Sequence, residues 1–537
     1  MILSRTTHLC ICGAAFSALL FSSAILMAQT KTSVTTYHND NYRTGWNPKE
    51  SQLTPATVGS AAFGLLETVT LDDQVDTQPL VVPNQNITVG TNTHLRQVVY
   101  VATESNTVYA INSNTGKVLL SQNFGPPVPF PLGCNNNGPN VGIDGTPVID
   151  RPTNTMYVIT YTDESNGPVY RIHALDLSTL TDKVVPPPVI TASHTLTDGR
   201  VFQFNATYQR QRPGLLLANG NVYAGFGSFC DFSANLSRGW LLGWQTNTLT
   251  PLASNRLLDT LASSPDDFFL SSIWMSGFGI AAGSTGDLFF VTGNSDYSGT
   301  TYNGVSNLAE SVVRVSGDLS TVLDAFTPSD EANLDMDDSD FGSGGVMLLP
   351  QPHKKGIANL AVAAGKEGNM FLMNRSHLGG FDLMRNNVLG TYYIGGCWCG
   401  ESYFVDPMDL APRVVASGGN SVGVWKVQTS PKVSLTNISN SNSLPGQQNP
   451  GFFTSVSSNG NADPIIWAVT HPNFSSPYTI QLYAFDPEAQ GTTLTQIFSA
   501  PAGTWPSSMA NSNIVPTVAN GKVFVASYQQ LAIFCLQ

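Results

Sequence analysis

The sequence predicts an all-β chain folded as a single propeller of about eight four-stranded blades. Three observations carry this. Charged residues make up only 11% of the 537, while Gly (48) and Pro (33) are plentiful. That balance leaves few charges for the outer faces of long helices and suits short strands joined by turns. Hydrophobic residues reach 42%, enough for a large core. Finally, one unit recurs: an apolar run after Pro or Gly, two further strands across polar turns, and an Asn or acidic turn ending in Gly.

Thr77-Gln78-Pro79-Leu80 opens the first copy, whose next strands are Val98 to Thr103 and Thr107 to Asn112. Gly145-Thr146-Pro147 opens the second. Later copies open at Arg212-Pro213-Gly214, Trp274-Met275-Ser276, Asp340-Phe341-Gly342, Glu401-Ser402-Tyr403, Phe453-Thr454-Ser455 and Ile514-Val515-Pro516. Four short strands cannot bury both faces of their own sheet, so the copies must stack around an axis. The last copy has three strands. Phe63 to Leu71 is an apolar strand with no blade of its own, and as the fourth strand of the last blade it closes the ring and removes an open edge. The expected organisation is a signal peptide over 1–28, a lead-in over 29–62 and the propeller over 63–537.

The N-terminus carries the export pattern: Arg5, an apolar stretch from Leu9 to Leu26, and a cleavage point after Ala28. A periplasmic or secreted protein is expected, with no membrane span in the mature chain. The net charge is −13, which argues against a nucleic-acid partner. Beyond the signal stand Cys134, Cys230, Cys397, Cys399 and Cys535. An odd number leaves at least one thiol unpaired within the chain. Cys134 and Cys230 fall in loops on the same face of nearby blades, which predicts a disulfide. No CxxCH is present for a covalent haem and no CxxC pair for a structural zinc.

In a four-stranded antiparallel blade, the loop entering the innermost strand and the loop joining strands two and three lie on one face. The mouth of the propeller therefore collects Gln78, Asp144, Arg212, Trp274, Asp340, Trp398, Glu401 and Asn459 from entering loops, and Glu104, Asp163, Asp231, Asn294 and Lys366 from the others.

Val108-Tyr109-Ala110-Ile111-Asn112 with Thr115-Gly116-Lys117, and Tyr483-Ala484-Phe485-Asp486, resemble the blade signature of the PQQ-binding (pyrroloquinoline quinone), quinoprotein alcohol dehydrogenase-like propellers. Asn112 stands where that signature has Asp, and Leu119-Leu120 where it has Trp. His38-Asn39-Asp40, Arg43-Thr44-Gly45-Trp46-Asn47 and Leu53-Thr54-Pro55 are similar to the family's lead-in. The resemblance covers nearly all of the mature chain. It implies PQQ and Ca²⁺ as cofactors. Thr292-Gly293-Asn294 resembles the strand end whose Asn ligates calcium, and Asp340-Phe341-Gly342 the segment carrying the catalytic base. Gly365-Lys366-Glu367-Gly368 resembles the turn whose cation touches the quinone. Asp231 and Asp340 complete the implied metal set with Asn294; Arg212, Trp274 and Trp398 join Lys366 around the quinone.

The chain also departs from the family. It has no adjacent Cys-Cys pair, Asp231 stands where a longer Glu is expected, and no Trp follows between Phe278 and Ala282. Each site residue also has a plainer role: Asp340 and Asn294 as turn residues, Lys366 as a solvated hairpin residue, the tryptophans as blade packing, Asp335 to Asp338 as a solvated loop, and Cys397-Trp398-Cys399 as thiols too few for a metal. Two functions are compatible with this pattern. The departures favour an exported monomeric binding or scaffold propeller with an incomplete quinone site, taking a small molecule, glycan or protein at its mouth. The alternative is a PQQ- and Ca²⁺-dependent dehydrogenase of alcohols or sugars that passes electrons to an external acceptor.

Overall fold

The computed structural model describes residues 31–136, 138–233, 236–262, 270–298, 302–350, 359–488, 491–507 and 509–537. The expected signal peptide lies outside the described residues. Thr32–Gln537 form one compact unit.

Eight sheets of antiparallel neighbours succeed one another along the chain. Blade 1 runs from its innermost strand Leu80–Val89 through Asn92–Ala102 and Thr107–Asn112 to Val118–Asn123 at the rim. The innermost strands of blades 2 to 7 are Val148–Asp150, Leu216–Ala218, Ala281–Ala282, Val346–Leu348, Ser402–Val405 and Thr454–Asn459. Blade 8 is Thr517–Ala519, Lys522–Ser527 and Gln530–Leu536, completed by Phe63–Thr70. The ring therefore closes with the N-terminal strand, as the three-stranded last repeat predicts.

Blade position explains the apolar runs. Leu360–Ala364, second strand of blade 5, is buried at every residue because neighbouring blades cover both its faces. The rim strand Val118–Asn123 has no buried residue, and only its second half, Ser121-Gln122-Asn123, is polar. The core is a set of seams between blades, such as Val82, Tyr100, Val158 and Leu175 between blades 1 and 2. Blade 2 departs from the repeat: it has three paired strands. Where a fourth would run, the chain carries Pro186-Pro187-Pro188, which lack N–H donors. Its backbone pairs with the sheet at isolated bridges, Arg171 with Val189 and Leu175 with Asp182.

The lead-in does more than precede the ring. The innermost strand of each blade has an edge toward the axis, and the lead-in meets these edges in blade order. Val34 exchanges two backbone hydrogen bonds with Val81 of blade 1, and Thr35 accepts the Ile149 N–H of blade 2. Asn41 donates its side-chain amide to Leu217 of blade 3 and accepts the Ala282 N–H of blade 4. Tyr42, Thr44 and Gly45 accept the N–H groups of Leu348, Tyr403 and Val456 in blades 5, 6 and 7. The Asn47 side chain donates to Val518 of blade 8.

Arg43 is fully buried in this segment. Its guanidinium donates to Ile280 O (2.8 Å), Leu215 O (3.2 Å), Thr36 Oγ1 (2.7 Å) and Tyr37 O (2.8 Å). Burial lowers its pKa to about 10 against the opposing pull of Asp40, so it stays charged at neutral pH. Arg43→Met keeps volume and removes the donors, leaving buried carbonyls unpaired. It is expected to destabilise the protein by about 3–5 kcal/mol, read as a lower denaturant midpoint at unchanged slope. A loss below about 1 kcal/mol would mean that water serves these carbonyls equally well.

Candidate functional site

A mouth-side cavity of about 520 Å³ is lined by Arg212, Asp231, Trp274, Asp340, Lys366 and Trp398, so six of the seven sequence-selected residues share it. Asn294 lies directly behind: its N–H donates to Asp340 Oδ1 at 2.7 Å, and its side-chain amide reaches Asp338 Oδ1 at 3.3 Å.

Close backbone packing builds this wall. A Cβ on Gly293 would fall 2.9 Å from both Asp340 Oδ1 and Trp274 Nε1, and one on Gly342 would fall 2.4 Å from the Gly293 nitrogen. Only glycine at these two positions lets the strand end of blade 4 lie against the entering loop of blade 5. The Lys366 N–H bonds to Asp340 O (3.0 Å). Its ammonium sits 2.5 Å from Asp340 Oδ2 and 3.0 Å from Asp338 Oδ1. The same nitrogen is 5.7 Å from the Trp274 ring and 5.6 Å from the Trp398 ring, within cation–π range of both. Burial lowers the Lys366 pKa, but Asp340 and Asp338 outweigh it and hold the ammonium above its ordinary value.

Asp231 enters from blade 3. Cys230 and Asp231 are both left-handed, with φ of +50° and +54°, a strained pair for non-glycine residues. The Cys134–Cys230 disulfide, with a Cα–Cα distance of 5.6 Å, anchors this turn, as the loop positions predict. Burial, then the Asp340 charge, pushes the Asp231 carboxyl up to about 7, against the Ser228 hydrogen bond.

Two arginines also line the cavity, each paired with carboxylates. Arg212 donates to Asp144 Oδ1 (2.9 Å) and pairs with Asp76 Oδ1 (3.3 Å). Arg210 donates to Asp144 Oδ2 (2.8 Å) and to Asn136 (2.8 Å). Oxygens of Asp76, Glu104 and Asp144 lie within 4.8 Å of one another, the one such acidic group among the described residues. Two arginines already serve it, which marks it as their support. Burial, opposed by Arg212, raises Asp76 to about 6. Sequence reading passed over Arg210, although its two-residue offset from Arg212 places it on the same side of an extended loop.

Two expectations change. The acidic run 335–338 is a solvated loop only in part: Glu331–Met336 is a short helix whose Asp335 is buried, accepting the Ser295 N–H at 2.9 Å, while Asp337 and Asp338 are exposed. Asp338 also lines the cavity. Cys397 and Cys399 are not lone thiols but form a disulfide around Trp398; Cys535 is free.

Glu401 lies just past that disulfide. It is fully buried, and no other residue hydrogen-bonds to either oxygen. Burial raises its pKa from 4.5 to about 7. The folded chain thus holds this proton more tightly than the unfolded chain. The stability it contributes is fully present below the unfolded value and is lost as pH rises through about 7. Between about pH 5 and pH 8 the wild type is expected to lose up to about 3 kcal/mol more than Glu401→Gln. Equal losses in denaturant titrations at the two pH values would show that the carboxylate is accommodated without cost.

No protein-family model matches the sequence, and no curated protein matches it. Solved structures do. A quinohemoprotein alcohol dehydrogenase of Comamonas testosteroni superposes with a TM-score of 0.58 at 13% identity, over 94% of this chain and 80% of that one. One from Pseudomonas putida HK5 gives 0.57 at 14% identity over the same shares. A europium-containing methanol dehydrogenase gives 0.56 at 11% identity over 94% and 98%. Identities this low carry the architecture alone: the chain has the eight-bladed propeller fold of the quinoprotein alcohol and methanol dehydrogenases.

Proposed function

We propose that the chain is an exported quinoprotein-type dehydrogenase that binds a PQQ-class quinone with a Ca²⁺-class cation and oxidises small hydroxyl-bearing substrates. The observation that carries this is the sharing of one cavity by Asp231, Asp340, Lys366, Arg212 and two tryptophans, with Asn294 at its wall. Export rests on the N-terminal pattern of Arg5 and the apolar stretch after it.

The donor set fits both groups. Asp231, Asp338 and Asp340 offer hard oxygens beside the Asn294 amide, the ligand chemistry of calcium. Burial, then the Asp340 charge, raises both Asp231 and Asp338, as expected of carboxylates short of positive charge. Arg212 and Lys366 suit the anionic oxygens of a quinone carboxylate, and the indoles of Trp274 and Trp398 suit its planar ring. A bound quinone supplies the two-electron acceptor. Asp340 is the group to take the substrate's hydroxyl proton: the Asn294 N–H fixes Oδ1, which leaves Oδ2, paired with the Lys366 ammonium, as the atom to act as base.

One observation favours the second reading, a binding propeller. Lys366 already serves both Asp340 and Asp338, so the carboxylates have an internal counter-ion without a metal. Calorimetric titration of PQQ with and without Ca²⁺ separates the two. Saturable, calcium-dependent binding is expected. Asp340→Asn is expected to keep quinone affinity within a few-fold while lowering turnover with an artificial electron acceptor by about 10²–10⁴-fold. Absence of heat and of any thermal shift at high PQQ would transfer the assignment to the binding propeller.

A further inference from the structure

The Cys397–Cys399 bond closes a minimal ring around one residue, Trp398 (Cα–Cα 4.9 Å). Both half-cystines are fully buried, while Trp398 lines the cavity. Three hydrogen bonds from three loops hold the ring. Cys397 N–H donates to Gly365 O (3.1 Å), one residue before Lys366, and Trp398 N–H donates to Pro450 O (3.0 Å). Ser343 Oγ donates to Cys397 O (2.6 Å). Above the ring, Gly451 has φ of +95°, and a Cβ there would lie 2.9 Å from the Trp398 nitrogen and 3.2 Å from Cys399 Cβ.

A disulfide's effect on global stability grows with the logarithm of the loop it closes. Cys134–Cys230, with a sequence separation of 96, has the long loop; Cys397–Cys399, with a separation of 2, has a very short one. The small ring therefore acts on local geometry. It removes backbone freedom on both sides of Trp398, whose indole faces the Lys366 ammonium that pairs with Asp340.

We propose that the Cys397–Cys399 disulfide is a positioning element of the ligand cavity, fixing the Trp398 indole against Lys366 and so setting the shape of the space that a planar ligand enters. This rests on the cavity being a ligand site, as proposed above, but its structural half is measurable without any ligand.

The test uses the full mature chain. Peptide mapping without reduction comes first: alkylation of Cys397 and Cys399 as free thiols overturns the proposal. The double variant Cys397→Ser/Cys399→Ser is then compared with wild type, each against its own Trp398→Phe counterpart so that the difference isolates one indole. The expected result is a Tm within a few degrees of wild type, a Trp398 emission at least about twofold more accessible to acrylamide, and PQQ affinity about tenfold weaker in Ca²⁺. A folded double variant with unchanged Trp398 quenching overturns the proposal, and so does a double variant that fails to fold, since the bond would then carry global stability. Gly451→Ala gives a second route with the bond intact: the added methyl is expected to displace the indole and raise its quenching, and no change there also counts against the ring as the element that sets it. If wild type binds no PQQ while the quenching shifts as expected, the quinone reading fails and the positioning role stands.

Discussion

The structure depends on the passage of one short segment past the inner edge of every blade. From Val34 to Asn47 the chain leaves a hydrogen bond with each of the eight innermost strands in turn, and Arg43 donates to carbonyls of blades 3 and 4 from the middle of that path. An innermost strand has one edge paired within its own blade and one that faces the axis. In a dry interior an unpaired edge carries the full cost of its polar groups. The lead-in relieves that cost with backbone and amide groups. Past the short helix Pro55–Val58, Phe63–Thr70 joins Gln530–Leu536 and shuts the ring. The axial plug and the closing strand are therefore consecutive, so the architecture is complete only when the two ends of the chain meet.

On that frame the mouth is polarised. Blades 1 to 3 contribute two guanidiniums whose charge is largely consumed by Asp144 and Asp76, so Arg210 and Arg212 offer directed N–H groups more than a free field. Blades 3 to 5 contribute Asp231, Asp338 and Asp340 against a single lysine. On the proposed reading, the surplus of negative charge and the oriented guanidinium donors would suit a cation and an anionic ligand respectively.

The fold was legible in the sequence because its signal is periodic: each blade repeats its turn chemistry and its apolar second strand, and the missing strand of the last copy called for Phe63 to Leu71. The exception is instructive. Blade 2 breaks the pattern where three prolines in a row, Pro186 to Pro188, remove the donors a fourth strand needs, a local rule strong enough to override the repeat. The loop phase also brought Arg212, Asp231, Trp274, Asp340, Lys366 and Trp398 to one cavity. What escaped has no local signature. The contact from Asn47 to Val518 spans 471 residues, and nothing near Val34 indicates Val81. The Asp335 to Asp338 run reads as solvent-facing by composition, yet Asp335 is turned inward by backbone donors of Ser295 and Asp296. Cys397 and Cys399 read as unpaired because spacing alone does not tell a closed ring from two thiols.

The Lys366–Asp340 contact ties the polarised mouth to its chemistry. An ammonium 2.5 Å from Asp340 Oδ2 serves as counter-ion to the acidic wall and also competes for the lone pair a base must offer. The two demands are compatible when a second positive charge is available to Asp231, Asp338 and Asn294, because Lys366 is then no longer the sole counter-ion of the acidic wall. In that arrangement Lys366 can turn its donors to an anionic ligand and release Asp340 Oδ2. Without the second charge the lysine is committed to the two aspartates. On the proposed dehydrogenase reading, the chemistry open to this cavity would therefore be governed by cation occupancy as much as by Asp340.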